Sequence, residues 1–438
     1  MYLRGCCISY ATAPILSHNT TVHNWKNLLK LLASVTAVQL IGFILLPFFS
    51  RLYTKADYGI LGMLMSVVGL LTPLASARYD QAIQVAKKGH RLRLLRILAL
   101  SINISLTSVL IILCLLAPRW LQGTSYEVAI PYLFIIPLTV FFSGLYSVLA
   151  AGANAQGAYG NIGLASLIQG YINNGLKLIC GWANMGAWGF AVAFNSGLAV
   201  ACSFLGWKQH RDWFNGITRR RLALVAKHYK GFPIYTTWMI TTAMLISNIL
   251  AMLLPNYYHT EDIGIITMLY MISRRPVQVY SEATGRIYAR RLVEVRESGH
   301  SFLQDMNKVF LRLLALSLLG GILTPWIAEP LVSLILGSNW SSLGHIIPWI
   351  IPFLLMESLN YIFCFIPDVI KKQKEYAWIQ ITRLCCEVLF ITQLSPHLDF
   401  NTFIRSYFIF AAVEYGLIFL WFYTQIRKYE LATNETKV

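Results

Sequence analysis

The stretch FFSRLYTKADYGILGML, Phe48 to Leu64, decides how this chain is read. An apolar run ends at Arg51, a few polar residues follow, and a second apolar run begins at Tyr58. A chain that turns so briefly and returns to apolar sequence is crossing a membrane and coming straight back. The composition agrees: 56% of the 438 residues are hydrophobic and 13% are charged, with a mean hydropathy of +0.57. Soluble domains carry roughly 25% charged residues, so a water-soluble fold would leave too much apolar surface in water. The chain is therefore expected to be an all-α polytopic membrane protein.

A spanning helix needs about 20 mostly apolar residues. Runs of that kind fall near 28–50, 58–77, 94–117, 129–152, 160–181 and 183–206, and again near 232–255, 262–283, 309–337, 344–366, 376–394 and 402–424. They predict about twelve transmembrane helices. The weakest are 160–181, which carries Asn173, Asn174 and Lys177, and 309–337, which Pro325 and Pro330 threaten to break.

The formal net charge is +17, from 36 Lys+Arg against 19 Asp+Glu. The basic residues cluster between apolar runs, the positive-inside pattern of membrane proteins, which argues against a nucleic-acid partner. Even-numbered connections hold Arg78, Lys87, Lys88, Arg91 and Arg93; Lys208, Arg211, Arg219, Arg220, Arg221, Lys227 and Lys230; Arg286, Arg290, Arg291, Arg296 and Lys308; and Lys371, Lys372 and Lys374. Odd-numbered connections offer Arg51, Lys55 and Arg119. Both termini and the even connections are thus expected in the cytoplasm. The outward connections are too short to hold a globular domain.

The opening stretch has a near copy. KADYGILGML (Lys55–Leu64) aligns with TEDIGIITML (Thr260–Leu269), matching Asp57 with Asp262, Gly59 with Gly264, Ile60 with Ile265, Met63 with Met268 and Leu64 with Leu269. IIPLTVFFSGLY (Ile135–Tyr146) likewise aligns with IIPFLLMESLNY (Ile350–Tyr361). These segments sit in the second and eighth spans and in the fourth and tenth. A six-span shift preserves orientation, so the halves are read as parallel repeats, two six-helix lobes related by a pseudo-two-fold axis along the membrane normal. Transporters built from such repeats place the substrate between the halves. The expected organisation is a cytoplasmic tail (1–27), an N-lobe (28–206), a basic cytoplasmic linker (207–231), a C-lobe (232–425) and a C-terminal tail (426–438).

These motifs carry a family resemblance. LPFFSRLYTKADYGILGML, then RYDQAIQVAKK (Arg78–Lys88), GFPIY (Gly231–Tyr235), IGIITMLYMISRRPVQVYSEA (Ile263–Ala283) and LILGSNW (Leu334–Trp340) resemble the polysaccharide transport family. Its members are the Wzx-type O-antigen and polysaccharide flippases of the multidrug/oligosaccharidyl-lipid/polysaccharide exporter superfamily. The resemblance runs from about Leu28 to Tyr423. It departs from the family pattern at SRRP, where a single basic residue is more typical, and in the long N-terminal tail. It implies translocation of a polyprenyl-diphosphate-linked oligosaccharide, an O-antigen or capsular/exopolysaccharide repeat unit, from the cytoplasmic to the periplasmic leaflet of the bacterial inner membrane. Alternating access, ion-gradient coupling, and work alongside a polysaccharide polymerase and chain-length machinery belong to the same expectation.

A diphosphate headgroup cannot cross about 30 Å of hydrocarbon unaided, and ionisable residues inside spans are functional candidates by default. Arg274 and Arg275 lie midway along the eighth span, and arginine's planar fork suits a diphosphate. Adjacent helical residues point roughly 100° apart, so both need not face one cavity. The competing reading pairs them with Glu357 or Glu414, or lets them snorkel. Asn173 and Lys177, beside Asn174 in the fifth span, share a helix face and are candidates to line the cavity, or Lys177 reaches the headgroups. Arg78, in RYD, matches a basic residue of the family and is a candidate to guide the headgroup inward. Glu387, Glu414 and Glu357 are candidates to carry a coupling proton or sodium; Arg383 and Glu387, four residues apart, also read as a self-neutralising pair. Gly59 and Gly264 are expected to permit tight packing rather than touch substrate.

The rival classes are a membrane-embedded polymerase or acyltransferase, a multidrug or small-solute antiporter of the same superfamily, and a scramblase-like protein. The nine histidines show no paired spacing inside a span and no nucleotide-binding GxxxxGKS/T occurs, so enzymatic chemistry is not indicated. Of the eight cysteines, most lie inside apolar spans and none forms a CxxC, so neither a metal centre nor a disulfide framework is expected. No cofactor is expected.

Overall fold

The computed structural model describes residues 36–86, 89–209, 218–298 and 301–435. The N-terminal tail, the start of the first expected span, Lys87, Lys88, part of the basic linker including Arg211, and residues 436–438 lie outside the described residues. So do the side chains of Arg286, Arg290 and Arg296. The described residues form helices joined by short turns and connections, with no strand among them.

Residues 36–44 are helical and lead into α1 (Leu46–Leu52), with Pro47 in its first turn, where a missing N–H is harmless. The polar hairpin then starts α2 (Lys55–Ala75) with a capping box: Thr54 accepts from the Asp57 N–H, and the Asp57 carboxylate accepts from the Thr54 N–H at 2.9 Å. Four longer helices follow: α3 (His90–Leu116), α4 (Ile135–Ala155), α5 (Tyr159–Trp182) and α6 (Ala187–Gln209). A short basic helix, Arg219–His228, and a π-helical turn at Phe232–Thr236 precede α7 (Thr237–Leu253). Then come α8 (Thr260–Leu269), a π-helical turn at Tyr270–Arg274, α9 (Arg275–Ser298), α10 (Phe302–Leu336), α11 (Ser341–Phe363), α12 (Gln373–Leu394) and α13 (Phe400–Glu435).

Eight helices among the described residues are long and apolar enough to cross a membrane. The remaining expected spans are helices too, but each has a physical reason to fall outside that set. The first is only partly described. The eighth is divided by a π-helical turn. The fifth and eleventh, α5 and α12, are diluted by Asn173, Asn174 and Lys177 and by Arg383 and Glu387. The fifth, eighth and eleventh spans fall outside the apolar set, and they carry Lys177, Arg274, Arg275, Arg383 and Glu387; Glu357 and Glu414 lie on helices inside it.

The expectation that Pro325 and Pro330 break the ninth span is corrected: α10 is one continuous helix of 35 residues. Membrane helices tolerate proline because neighbouring groups re-satisfy the freed carbonyls. Its Leu316, Leu318, Leu319, Ile322 and Leu334 are exposed, as are Ile104, Ile112 and Leu115 on α3. Such continuous apolar faces would be unstable in water and match hydrocarbon. This is a multi-pass membrane protein.

The described chain falls into two compact units whose boundary lies between Gly264 and Ile265, within α8. In the first, α2 packs on α4 and α7, α3 on α4, and α6 on α4 and α5. One core there gathers Ile60, Leu64, Val68, Ile135 and Val140; another gathers Tyr79, Ile83, Leu95 and Val148. In the second unit α11 packs on α9, α10 and α13 around an aromatic core of Phe302, Phe363, Phe365 and Phe422. Charged residues at the margins of these cores define the sites below.

Candidate functional site

In the first unit, the aligned glycines pack against one another's helix. A Cβ on Gly59 would fall 1.9 Å from the carbonyl oxygen of Thr260, and a Cβ on Gly264 would fall 1.9 Å from that of Lys55. Because Lys55 aligns with Thr260, the crossing is reciprocal: each helix lays its first carbonyl on the glycine four residues into the other. Only hydrogen at Cα permits two helix starts to approach so closely. At the same end, the Tyr126 hydroxyl donates to the Met252 carbonyl at 2.6 Å and accepts from the Asn256 amide at 2.9 Å. Burial pushes the Tyr126 phenol above its ordinary range, against the Asn256 hydrogen bond, so it stays a neutral donor.

Lys177 of α5 has its ammonium 5.6 Å from the Phe49 ring and 5.8 Å from the Phe190 ring. Tyr53 stacks on Phe190 at 4.1 Å and donates its hydroxyl to the Lys177 carbonyl at 2.7 Å, fixing the cage. Among the described residues no carboxylate pairs with Lys177. One turn earlier, the Asn173 Oδ1 is buried with no hydrogen-bond partner. Asn174 is buried against Gly42. Lys177 is thus a cation held between aromatic rings, one turn from an unsatisfied acceptor.

Arg78 adopts the left-handed conformation (φ 58°) ahead of the short helix Tyr79–Val85, an uncommon backbone for a residue with a side chain. Its Nη1 lies 3.9 Å from Asp80, whose other oxygen accepts from the Ser76 hydroxyl at 2.6 Å. The guanidinium is only loosely held.

The second unit is organised differently. Arg274 ends the π-helical turn, buried, and both its Nε and Nη2 reach the Glu357 Oε1, at 2.7 and 2.6 Å. The rings of Tyr270 and Phe353 lie 4.9 and 5.7 Å from the same guanidinium. The ion-pair alternative raised for this arginine is thus the geometry found. Its neighbour Arg275 is exposed, and among the described residues no carboxylate pairs with it. The π turn and the roughly 100° step between adjacent residues account for their different environments.

Arg383 of α12 donates from Nη2 to Glu387 at 2.6 Å, and its Nε lies 3.6 Å from Glu414 of α13. The sequence offered Glu387 as an intrahelical partner but gave no sign that Glu414 joins it, because that contact links helices. The tyrosines were missed as well. The Arg383 guanidinium sits 3.8 Å above the Tyr415 ring. Tyr415 is within electrostatic reach of Arg274, Glu357, Arg383 and Glu387, and Tyr407 is within reach of Glu387, Arg383 and Arg274. A tyrosine on an apolar helix is no signal by itself; only the fold brings these to the arginines. Among the described residues no three His, Cys, Asp or Glu side chains gather in a way that would hold a metal ion.

A comparison with solved structures places this architecture. The lipid II flippase MurJ, in a structure described as inward closed, superposes with a TM-score of 0.69 at 12% identity, covering 91% of this chain and 90% of that one. A MOP superfamily transporter from Pyrococcus furiosus gives 0.56 at 16% identity, covering 94% and 97%. A multidrug resistance MATE family transporter in an outward-facing conformation gives 0.54 at 16%, covering 94% and 96%. At these identities the likeness is one of fold. No curated protein matches the sequence. The profile of a family described as polysaccharide biosynthesis protein matches residues 48–344, more than half of the sequence and including both glycines of the crossing, Lys177 and the arginine pair. The chain is a member of that polysaccharide biosynthesis family, built on the fold of the MOP superfamily transporters.

Proposed function

We propose that the protein is a flippase that moves a polyprenyl-diphosphate-linked oligosaccharide repeat unit from the cytoplasmic to the periplasmic leaflet by alternating access, coupled to an ion gradient. The observation that carries this reading is the polysaccharide biosynthesis match over residues 48–344 in a chain with a transporter fold. The chemistry of the side chains supports it. A diphosphate needs cations that are not already neutralised, and Lys177 and Arg275 have no carboxylate partner among the described residues. Arg274 is committed to Glu357, so the phosphate-binding candidates are Lys177 in the first unit, with the Asn173 amide offered to sugar hydroxyls and Asn174 beside it, and, as a separate candidate, Arg275 in the second unit. Arg78, loosely held at the cytoplasmic side, would receive the headgroup on entry. The crossing of α2 and α8 would close the periplasmic end in this state and part on release.

In this reading the protein lies in the bacterial inner membrane with both termini in the cytoplasm, and hands its product to a polymerase and chain-length machinery. A cationic-drug antiporter is less well supported. Glu357 and Glu387 of the second unit are ion-paired with Arg274 and Arg383.

The test is reconstitution of the purified protein into liposomes loaded with a polyprenyl-diphosphate oligosaccharide, scoring the share that becomes accessible to a membrane-impermeant glycosidase. Transport above protein-free vesicles, lost in Lys177→Gln and retained in Lys177→Arg, is expected. Rates equal to empty vesicles, or an unaffected Lys177→Gln, would overturn the reading.

A further inference from the structure

A buried cluster of charged side chains in the second unit holds one carboxylate too many. Arg274, Glu357, Arg383, Glu387 and Glu414 come from the π-helical turn, α11, α12 and α13, with the Tyr270 ring 4.9 Å from the Arg274 guanidinium and the Tyr415 ring 3.8 Å from that of Arg383. Arginine stays charged in proteins, so two guanidiniums face three carboxyl groups. Arg274 and Glu357 close on each other through two donors to one oxygen. Arg383 is left with two acidic partners, Glu387 and Glu414.

Those partners are poorly satisfied as a pair of anions. Glu387 is fully buried, and its Oε2 has no hydrogen-bond partner; the Oε2 of Glu414 is also buried without one. Both carboxyl groups meet the same guanidinium, Glu387 at 2.6 Å and Glu414 at 3.6 Å. Two adjacent carboxylates in a low-dielectric site do not both ionise, and one guanidinium compensates one charge. A single proton resolves both difficulties: it neutralises the surplus charge and converts an orphaned oxygen into a donor for its neighbour.

We propose that Glu387 and Glu414 share one exchangeable proton, with Arg383 as their fixed counter-charge, forming the proton-binding site of this unit. The inference deepens the proposed coupling to an ion gradient by naming the ion as a proton and its seat as the α12–α13 contact. Removing the proton leaves an uncompensated anion between two helices. Either α12 and α13 separate there or water enters, and a gradient that controls occupancy thereby biases the conformation.

Infrared spectroscopy of the full-length protein in lipid nanodiscs tests this without transport. The expected result is a carboxylic-acid C=O band, sensitive to deuterium exchange, that is present at low pH and disappears as the pH rises. Glu414→Gln and Glu387→Gln each remove it, and Glu414→Asp retains it at a shifted frequency, which covers the case in which a Gln variant fails to fold. Absence of a titrating band in the wild type, or its persistence in both Gln variants, overturns the proposal. Lys177→Gln keeps the band while losing oligosaccharide transport. A band that behaves as described in a protein with no transport would leave the proton site standing and remove the flippase reading.

Discussion

Substituting Gly264 by alanine should open the crossing between α2 and α8. The new methyl would sit 1.9 Å from the Lys55 carbonyl oxygen, whereas ordinary van der Waals contact begins near 3.4 Å, so the helix starts must retreat by about 1.5 Å. The obstructing atom is backbone in a helix turn held by the Thr54–Asp57 capping box, so no side-chain rotation relieves it. Forcing extra carbon into a packed contact costs about 1–3 kcal/mol, which shifts a two-state equilibrium by about 5–150-fold. Hydrogen exchange read by mass spectrometry at Tyr58 and Ile263, whose amides bond to the Thr54 and His259 carbonyls in the first turns of α2 and α8, should accelerate by a factor in that range. Gly59→Ala, which meets the Thr260 carbonyl, should do the same. The double variant should add little, because the first methyl has already parted the helices. Gly160→Ala on α5 meets nothing within 4 Å and serves as the control. Exchange at Tyr58 and Ile263 that matches the control in both single variants would refute the crossing as a closure.

Truncating Glu357 to alanine leaves the Arg274 guanidinium buried without its partner, and should destabilise the protein by about 3–5 kcal/mol; in a thermal melt in nanodiscs, the combined Arg274→Met/Glu357→Leu variant should recover most of the loss. Tyr126→Phe removes the hydrogen bonds to Met252 and from Asn256, each worth about 0.5–1.5 kcal/mol, and should loosen the same end of the first unit as Gly264→Ala, read by exchange at Tyr257. Thr54→Ala deletes half of the capping box and should cost about 1 kcal/mol, measurable as a lower melting temperature with the crossing still closed at Ile263.

The fold was legible because a membrane imposes a coarse code. Helix length, apolar runs and the distribution of arginine and lysine need no tertiary information, and Phe48–Leu64 alone contains the end of one span, a hairpin and the start of the next. The continuity of α10 through Pro325 and Pro330 was not legible, since it depends on packing that re-satisfies the backbone. The site was legible one residue at a time. A charge inside a span announces itself, so Lys177, Arg274, Arg383 and Glu414 could be named. The sequence raised Glu357 and Glu414 alike as partners for the arginine pair and could not choose between them, because the Arg274–Glu357 contact joins residues 83 positions apart and the Arg383–Glu414 contact joins two helices. The contact of Glu414 with Arg383 was invisible for that reason, and the tyrosines around it carried no signal at all.

The internal repeat shows where chemistry departs from architecture. Extending the alignment of Lys55–Leu64 with Thr260–Leu269 places Gly69 opposite Arg274, and the alignment of Ile135–Tyr146 with Ile350–Tyr361 places Phe142 opposite Glu357. The packing is equivalent in the two halves: α2 lies on α4 in one, and the continuation of α8 through α9 lies on α11 in the other. Both members of the buried ion pair therefore have uncharged counterparts at matching positions. A lone arginine or a lone glutamate there would cost several kcal/mol in an apolar bundle, so the charges are tolerable only as a pair. The glycines behave in the opposite way, since Gly59 and Gly264 are equivalent and each needs the other helix's first carbonyl. Repetition thus preserves the backbone approach, and charge enters where repetition is broken, in the unit that also holds the surplus carboxylate.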